Sequence, residues 1–138
     1  MTDSSVEHIY DLRFRGLEEY RNQVWRILVT KFFSRWIKPD AKILDLGCGY
    51  GEFINNVEAT ERHAMDLNPD TAHHLCDSVS FLRQDCSENW PLDLDFFDVI
   101  FTSNFFEHLP DKETLHRTIG HIKTHLKPGG RLLILGPN

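Results

Sequence analysis

The stretch Lys42–Phe53, KILDLGCGYGEF, decides the fold. A short apolar run carrying Asp45 gives way to Gly47, Gly49 and Gly51 on alternate positions, and a new apolar segment follows. An apolar run of this length that breaks into glycine reads as a buried strand entering a tight turn. Glycine permits positive φ and removes Cβ, so a ligand can rest on the backbone of such a turn. The exposed N–H groups of a following helix also favour a negative group. A strand-to-helix turn with no ligand is the plainer reading, but three alternating glycines exceed what a turn requires. The spacing is G-x-G-x-G, whereas a dinucleotide fingerprint wants G-x-G-x-x-G.

Outward from this turn, strands and helices alternate. Upstream, Leu17, Tyr20, Val24, Leu28 and Phe32 recur every three or four residues, predicting a helix over 16–37 with one buried stripe that Pro39-Asp40 ends. Downstream, a helix is expected from about Gly51 to Val57 and a second strand over Arg62–Asp66. Asn68-Pro69 opens a further helix, and a third strand covers Val79–Arg83. Ser87–Asp95 is a long irregular connection, and Phe97–Thr102, FDVIFT, is a fourth strand. Asp111 can cap a long helix whose buried face would be Leu115, Ile119, Ile122 and Leu126. Pro128-Gly129-Gly130 stops that helix before a fifth strand over Arg131–Leu135. Such alternation with near-continuous apolar strands predicts an α/β fold, a doubly wound, mostly parallel Rossmann-like sheet with helices on both faces. Right-handed crossovers and a switch point beside the first strand give the order 3-2-1-4-5, with ligands at the carboxyl ends of the strands.

The 138 residues suit one domain, 1–138, with 41% hydrophobic and 26% charged residues of an ordinary globular chain. A formal charge of -6 argues against nucleic acid or an anionic membrane as the main partner. No apolar run approaches a membrane span and the start, MTDSSVEHIYD, lacks a signal pattern, so a cytoplasmic protein is expected. Cys48, Cys76 and Cys86 form no C-x-x-C pair, which favours reduced thiols over a disulfide frame or zinc site. His121 and His125 stand one helical turn apart and could share a metal, but a solvated helix face is the expected role.

DLGCGYGEF resembles the first motif of the class I S-adenosylmethionine-dependent methyltransferases, and N-x-x-E-H-L-P-D over Asn104–Asp111 with L-K-P-G-G over Leu126–Gly130 is similar to later segments of their small-molecule branch. The resemblance runs from the Leu17 helix to Asn138 and implies S-adenosyl-L-methionine as cofactor, with S-adenosyl-L-homocysteine as product. It places Asp45, Gly47, Cys48, Gly49 and Gly51 against the cofactor, which rests on the bare loop. Asp66 ends the second strand, 15 residues after Gly51, where a carboxylate can accept from both ribose hydroxyls; capping the next helix is its other role. Leu67 would lie on the adenine face, Asp85 resembles the family's acceptor for the adenine amine with the Cys86 backbone beside it, and Ser103 and Asn104 would meet the methionine part. The turn N–H groups suit the methionine carboxylate. Arg21 could add a contact to it, though solvation is the plainer role for that side chain.

A methyl group on a sulfonium is already activated, so alignment of donor and acceptor supplies much of the rate. A hydroxyl acceptor benefits from a general base, for which His108 is the candidate by position, with loop-fixing by Glu107 and His108 the competing role. Relatives that bind a divalent metal do so through E-x-x-E-H; here Asn104 replaces the first acid, and no metal is expected. No catalytic residue is assigned. The family sheet usually has seven strands, whereas LLILGPN ends the chain after the fifth, so a truncated form lacking the last two strands is expected. The fifth strand would then be an apolar edge through which a homodimer could pair. The expected function is methyl transfer to a small-molecule acceptor, oxygen before carbon or nitrogen. The alternatives are a cofactor-binding module without turnover and a nicotinamide-dependent oxidoreductase.

Overall fold

The structure, a computed structural model, describes residues 3–138; Met1 and Thr2 of the expected 1–138 unit lie outside them. Five strands form one parallel sheet in the order β3-β2-β1-β4-β5. These are β1 (Lys42–Leu46), β2 (Glu61–Asp66), β3 (Val79–Arg83), β4 (Phe97–Ser103) and β5 (Leu126–Leu135). β1 pairs Ile43 with Arg62 on one side and with Val99 on the other. β5 follows β4 in register from Val99↔Arg131 to Ser103↔Leu135, with an irregularity before it that absorbs the Pro128–Gly130 turn. The order is the one the sequence predicts, with the switch point beside β1.

Alternate residues of the strands serve opposite faces. Ile43, Ala64, Val99 and Phe101 pack under Val29, Phe33 and Ile37. Leu44, Leu46, Met65 and Ile100 pack under Ile122, Trp90 and Cys86. The first face is covered by α1 (Asp3–Lys31) and a 3-10 turn over Phe33–Arg35, the second by α2 (Lys112–His125). The Asp111 side chain caps α2, accepting from the Thr114 N–H at 2.7 Å. Among the described residues no helix is long and apolar enough to cross a membrane.

Four local expectations are corrected. The buried stripe at the end of α1 runs through Trp25, Val29, Phe33 and Ile37, one position along from the expected Val24, Leu28 and Phe32, while Leu17 and Tyr20 are exposed. Aromatic packing sets this register: Trp25 meets Phe101 at 6.1 Å, Phe33 meets Phe101 at 5.2 Å and Phe53 stacks on Phe101 at 3.7 Å. α2 buries Thr114, Thr118, Ile122 and His125, whereas Ile119 is 43% exposed. Two of its buried polar atoms are partnered locally: Thr118 Oγ1 donates to the Thr114 carbonyl at 2.8 Å, and His125 Nδ1 donates to the His121 carbonyl at 2.7 Å. The His125 ring lies 4.8 Å from Trp90, and its Nε2 is buried without a hydrogen-bond partner among the described residues. His125 therefore does not lie on a solvated face, and His121 is half-buried against Ser87. The third correction concerns 51–57, which is helical only to the extent of turns closed by Asn55 N–H to Gly51 O and Val57 N–H to Phe53 O. In the fourth, the segment after Asn68-Pro69 is a 3-10 turn over Thr71–His74.

Candidate cofactor site

The glycine turn is built as its spacing suggests. Gly47, Gly49 and Gly51 have φ of +68°, +53° and +80°, the left-handed region where a side chain is strained. They differ in surroundings. A Cβ on Gly47 would run into the Phe105 ring and one on Gly51 into Leu75 and Asn55, whereas a Cβ on Gly49 would point into open space. Gly47 and Gly51 are thus needed for packing, and Gly49 leaves an uncovered stretch of backbone.

Two cavities meet at Gly47. One, of about 260 Å³, is bordered by Asp66, Leu67, Asp85, Cys86, Phe105 and His108. The other, of about 380 Å³, is bordered by Arg21, Asp45, Cys48, Gly49, Ser103 and Asn104. All eleven residues proposed from the sequence stand at or within the turn and strand ends that frame these two spaces, Gly51 through the turn itself. A hydrogen bond from the glycine turn ties the spaces together: the Gly49 N–H donates to Asp66 Oδ2 at 2.9 Å. Asp66 Oδ1 accepts from the Asn68 N–H at 2.9 Å. Each carboxylate oxygen keeps a second lone pair for a diol.

Asp85 is held in the same manner. Its Oδ1 accepts from both the N–H and the Oγ of Ser87 at 2.8 Å, and these bonds hold its carboxyl below the usual range. Oδ2 is left for a further donor. Two side chains from the opposite wall fix this loop: Trp90 Nε1 donates to the Cys86 carbonyl at 2.9 Å and His121 Nε2 to the Ser87 carbonyl at 3.2 Å. The sequence leaves Trp90 aside, since a bulky ring in an irregular segment reads as core filler, and offers His121 only as half of a metal pair or as a solvated helix position. The Cys86 thiol is buried 3.4 Å from Thr118 Oγ1, and burial raises its pKa.

In the larger cavity Asp45 is 3% exposed. Burial pushes its carboxyl well above the ordinary range, with Glu52 and Asp66 adding repulsion. Burial, with Asp45 and Asp66, likewise pushes the Cys48 thiol far up, so it is an inert neutral group. A buried carboxylate with acidic neighbours lacks a cation, and an ammonium or sulfonium supplied to the cavity meets that need. Arg21 borders the same cavity and pairs with Glu52 at 3.2 Å, its side chain 64% exposed. This replaces the plain solvation expected for it.

Four N–H groups of the turn are engaged within the fold. The Gly47 and Cys48 N–H groups donate to the Met65 carbonyl at 2.8 and 3.2 Å, Gly49 to Asp66, and Gly51 to the Cys48 carbonyl at 2.9 Å. Residues 51–57 follow as isolated turns rather than a regular helix. Asn104 holds φ +47°, with its N–H donating to the Leu135 carbonyl at 2.8 Å. A non-glycine residue in this region marks a constrained strand end beside the site. His108 borders the Asp85 cavity, 4.0 Å from Glu107, with its side chain 74% exposed.

A family model described as a methyltransferase domain matches residues 17–138. Malonyl-[acyl-carrier protein] O-methyltransferase of Paenibacillus sp. (strain JDR-2) is 31% identical over 121 residues, 76% of this chain and 42% of that protein. Phosphoethanolamine N-methyltransferase 1 of Arabidopsis thaliana is 34% identical over 109 residues, 71% of this chain and 21% of that protein. The chain thus spans less than half the length of these relatives. Among solved structures, a TehB-like SAM-dependent methyltransferase from Corynebacterium glutamicum shares the fold with a TM-score of 0.68 at 20% identity, over 96% of this chain and 73% of that one. N-methyltransferase NodS from Bradyrhizobium japonicum WM9, in complex with S-adenosyl-l-homocysteine, shares it with a TM-score of 0.63 at 20% identity, over 85% of this chain and 60% of that one. The glycine turn, the strand-end carboxylates and the matched family model agree, and the chain belongs to the class I S-adenosylmethionine-dependent methyltransferases.

Proposed function

We propose that the chain binds S-adenosyl-L-methionine across the two cavities and directs methyl transfer to an oxygen of a small-molecule acceptor. The observation that carries the reading is the Gly49–Asp66 hydrogen bond, which sets a carboxylate beside a bare glycine at the junction of the spaces. When bound, the cofactor supplies a methyl group on a sulfonium, transferred by in-line displacement.

The residues present fit it. Asp66 offers a free lone pair on each oxygen to the ribose diol, and Asp85 Oδ2 accepts from the adenine amine beside Leu67 and Cys86. Asp45, deprived of a cation by its burial, receives the ammonium, while Arg21 faces the carboxylate. Gly47, Cys48, Gly49 and Gly51 give the backbone floor, and Ser103 with Asn104 closes the methionine side. Trp25, Phe53 and Phe101 form a dry wall there, so alignment and water exclusion are this chain's contributions to rate. His108 is the candidate base for a hydroxyl acceptor. The Paenibacillus relative, named for O-methyl transfer, supports oxygen; the Arabidopsis relative, named for N-methyl transfer, favours nitrogen as the second reading.

Calorimetric titration with S-adenosylhomocysteine against reduced nicotinamide cofactor tests the binding half. Saturable binding of the first alone is expected, and binding of the second alone would refute it. Transfer from labelled cofactor to a hydroxyl and an amine panel tests the acceptor, with N-methyl products alone overturning oxygen. Tight cofactor binding with no transfer to any acceptor would favour the binding module. β5 has no partner on its outer side among the described residues and Ile134 is 59% exposed, which supports self-association through this edge. Light scattering that gives a monomer at all concentrations would exclude it. Three unbridged cysteines support a reducing, cytoplasmic setting.

A further inference from the structure

The opposite end of the sheet carries a separate cavity of about 310 Å³ at the amino ends of β1 and β4 and the irregular first half of β5 around the Pro128–Gly130 turn. Its wall holds Arg35, Lys38, Lys127 and Arg131 against Asp40 and Asp98, an excess of cations in a chain whose formal charge is -6. The charges do not cancel locally. Asp98 is already occupied, accepting from the Lys42 N–H at 2.8 Å and pairing with Lys127 at 3.2 Å. The Arg35 guanidinium is steadied 5.4 Å above the Phe32 ring. Lys38 and Arg131 have no carboxylate within ion-pair distance among the described residues. Trp36 adds a half-exposed aromatic wall. The turn brings the cations together: a Cβ on Gly130 would press on the Lys127 and Phe97 carbonyls, and Gly129 holds φ +79°, so only glycines let Lys127 and Arg131 reach the same recess.

We propose that this cavity is a second ligand site, which takes a small phosphate monoester with a flat apolar part, the phosphate facing Lys38 and Arg131 and the flat part lying on Trp36. Guanidinium and ammonium groups on a recessed wall suit a dianion, and the volume lies at the low end for small-ligand sites. The recess admits a terminal phosphate. Its position at the far end of the strands separates it from the cofactor cavities.

The test is an amide-shift titration of the whole chain, saturated with S-adenosylhomocysteine, using phenyl phosphate and inorganic phosphate as probes. Saturable shifts centred on Gly129, Gly130 and Arg131 are expected, with phenyl phosphate binding the tighter. The double variant Lys38→Gln with Arg131→Gln should weaken phenyl phosphate about tenfold. These exposed positions should leave the circular dichroism and the S-adenosylhomocysteine affinity unchanged. Arg35→Gln alone serves as a second variant if the double one is unstable. Shifts scattered over all basic residues, shifts unmoved by the variants, or no saturation by about 10 mM ligand would each overturn the proposal.

Discussion

Replacing Asp66 with alanine is the sharpest probe of the cofactor reading. In the free protein the side chain makes two bonds, to the Gly49 and Asn68 N–H groups, both at 2.9 Å. Those bonds are made without ligand, so their loss weighs mainly on stability and on the order of the turn. The ribose diol adds two hydrogen bonds to a charged acceptor, and truncating such a partner costs about 1.5–3 kcal/mol each. Two at the lower bound come to about 3 kcal/mol, or a loss of at least about 100-fold in affinity at 1.4 kcal/mol per tenfold. Asp66→Asn keeps one acceptor oxygen and the shape, so its loss should be nearer tenfold, one charge-assisted bond in place of two. Titration calorimetry with S-adenosylhomocysteine reads both, with circular dichroism and the thermal midpoint checking the fold. A folded Asp66→Ala variant whose affinity stays within about threefold of the parent refutes the assignment, since no arrangement of the diol on Asp66 tolerates so small a change.

The glycines should separate by readout. Gly47→Ala sets a Cβ against Phe105 at φ +68° and should destabilise the free protein by about 1–3 kcal/mol, seen as a lower denaturation midpoint. A Cβ on Gly49 meets no neighbour, so the stability loss of Gly49→Ala stays near the strain cost of about 1 kcal/mol while S-adenosylhomocysteine binding falls more than about tenfold. Asp45 should show opposed effects. Its raised folded pKa means that its stabilising contribution is full below the unfolded carboxyl value of about 4 and is lost as pH rises through the folded one. Asp45→Asn should therefore raise the thermal midpoint at about pH 7.5 but not at about pH 4, while weakening cofactor binding. The cofactor's ammonium favours the ionised form, so binding should release a proton and its measured enthalpy should vary with the buffer's ionisation enthalpy. Trp90→Phe removes the donor to the Cys86 carbonyl and should weaken S-adenosylhomocysteine about fivefold, by roughly 1 kcal/mol, without a change in β1 or β4 protection.

What was legible in the chain follows from which interactions are local. The five strands, their order and the glycine turn come from apolar runs and punctuation within a few residues of each other, and the structure has them in that order. The exception is that β5 begins at Leu126 rather than Arg131, taking Leu126 out of the helix and Pro128–Gly130 into the strand. Asp66 was placed by its strand end in a doubly wound sheet, whereas Asp85, two residues past β3, came only from the family resemblance; both border one cavity. The helix faces were not. α1 carries apolar residues on two adjacent stripes, and only the Phe53 and Phe101 rings from distant segments select Trp25, Val29 and Phe33. In α2 the buried face includes Thr118 and His125, which periodicity counts as polar but which a hydrogen bond one turn back makes tolerable. The partners of the Gly47, Cys48 and Gly49 N–H groups also escaped: their capture by Met65 and Asp66 depends on the second strand lying alongside the first.

The same distinction explains why the cofactor is easier to identify than the catalyst. A ligand with a diol, an amine, an ammonium and a flat ring imposes separate demands on backbone and carboxylates at fixed strand ends, and each demand leaves a residue. Transfer from a sulfonium imposes one demand, alignment, which any wall of the right shape can meet. Asn104 at φ +47°, the Phe105 ring seated on Gly47 and the Trp25–Phe101 contact are the parts that set that shape. None is a titrating group. If shape is the catalyst, then removing His108 should reduce transfer to a hydroxyl acceptor and leave transfer to an already ionised one unchanged. Enlarging the wall by Trp25→Ala should slow both.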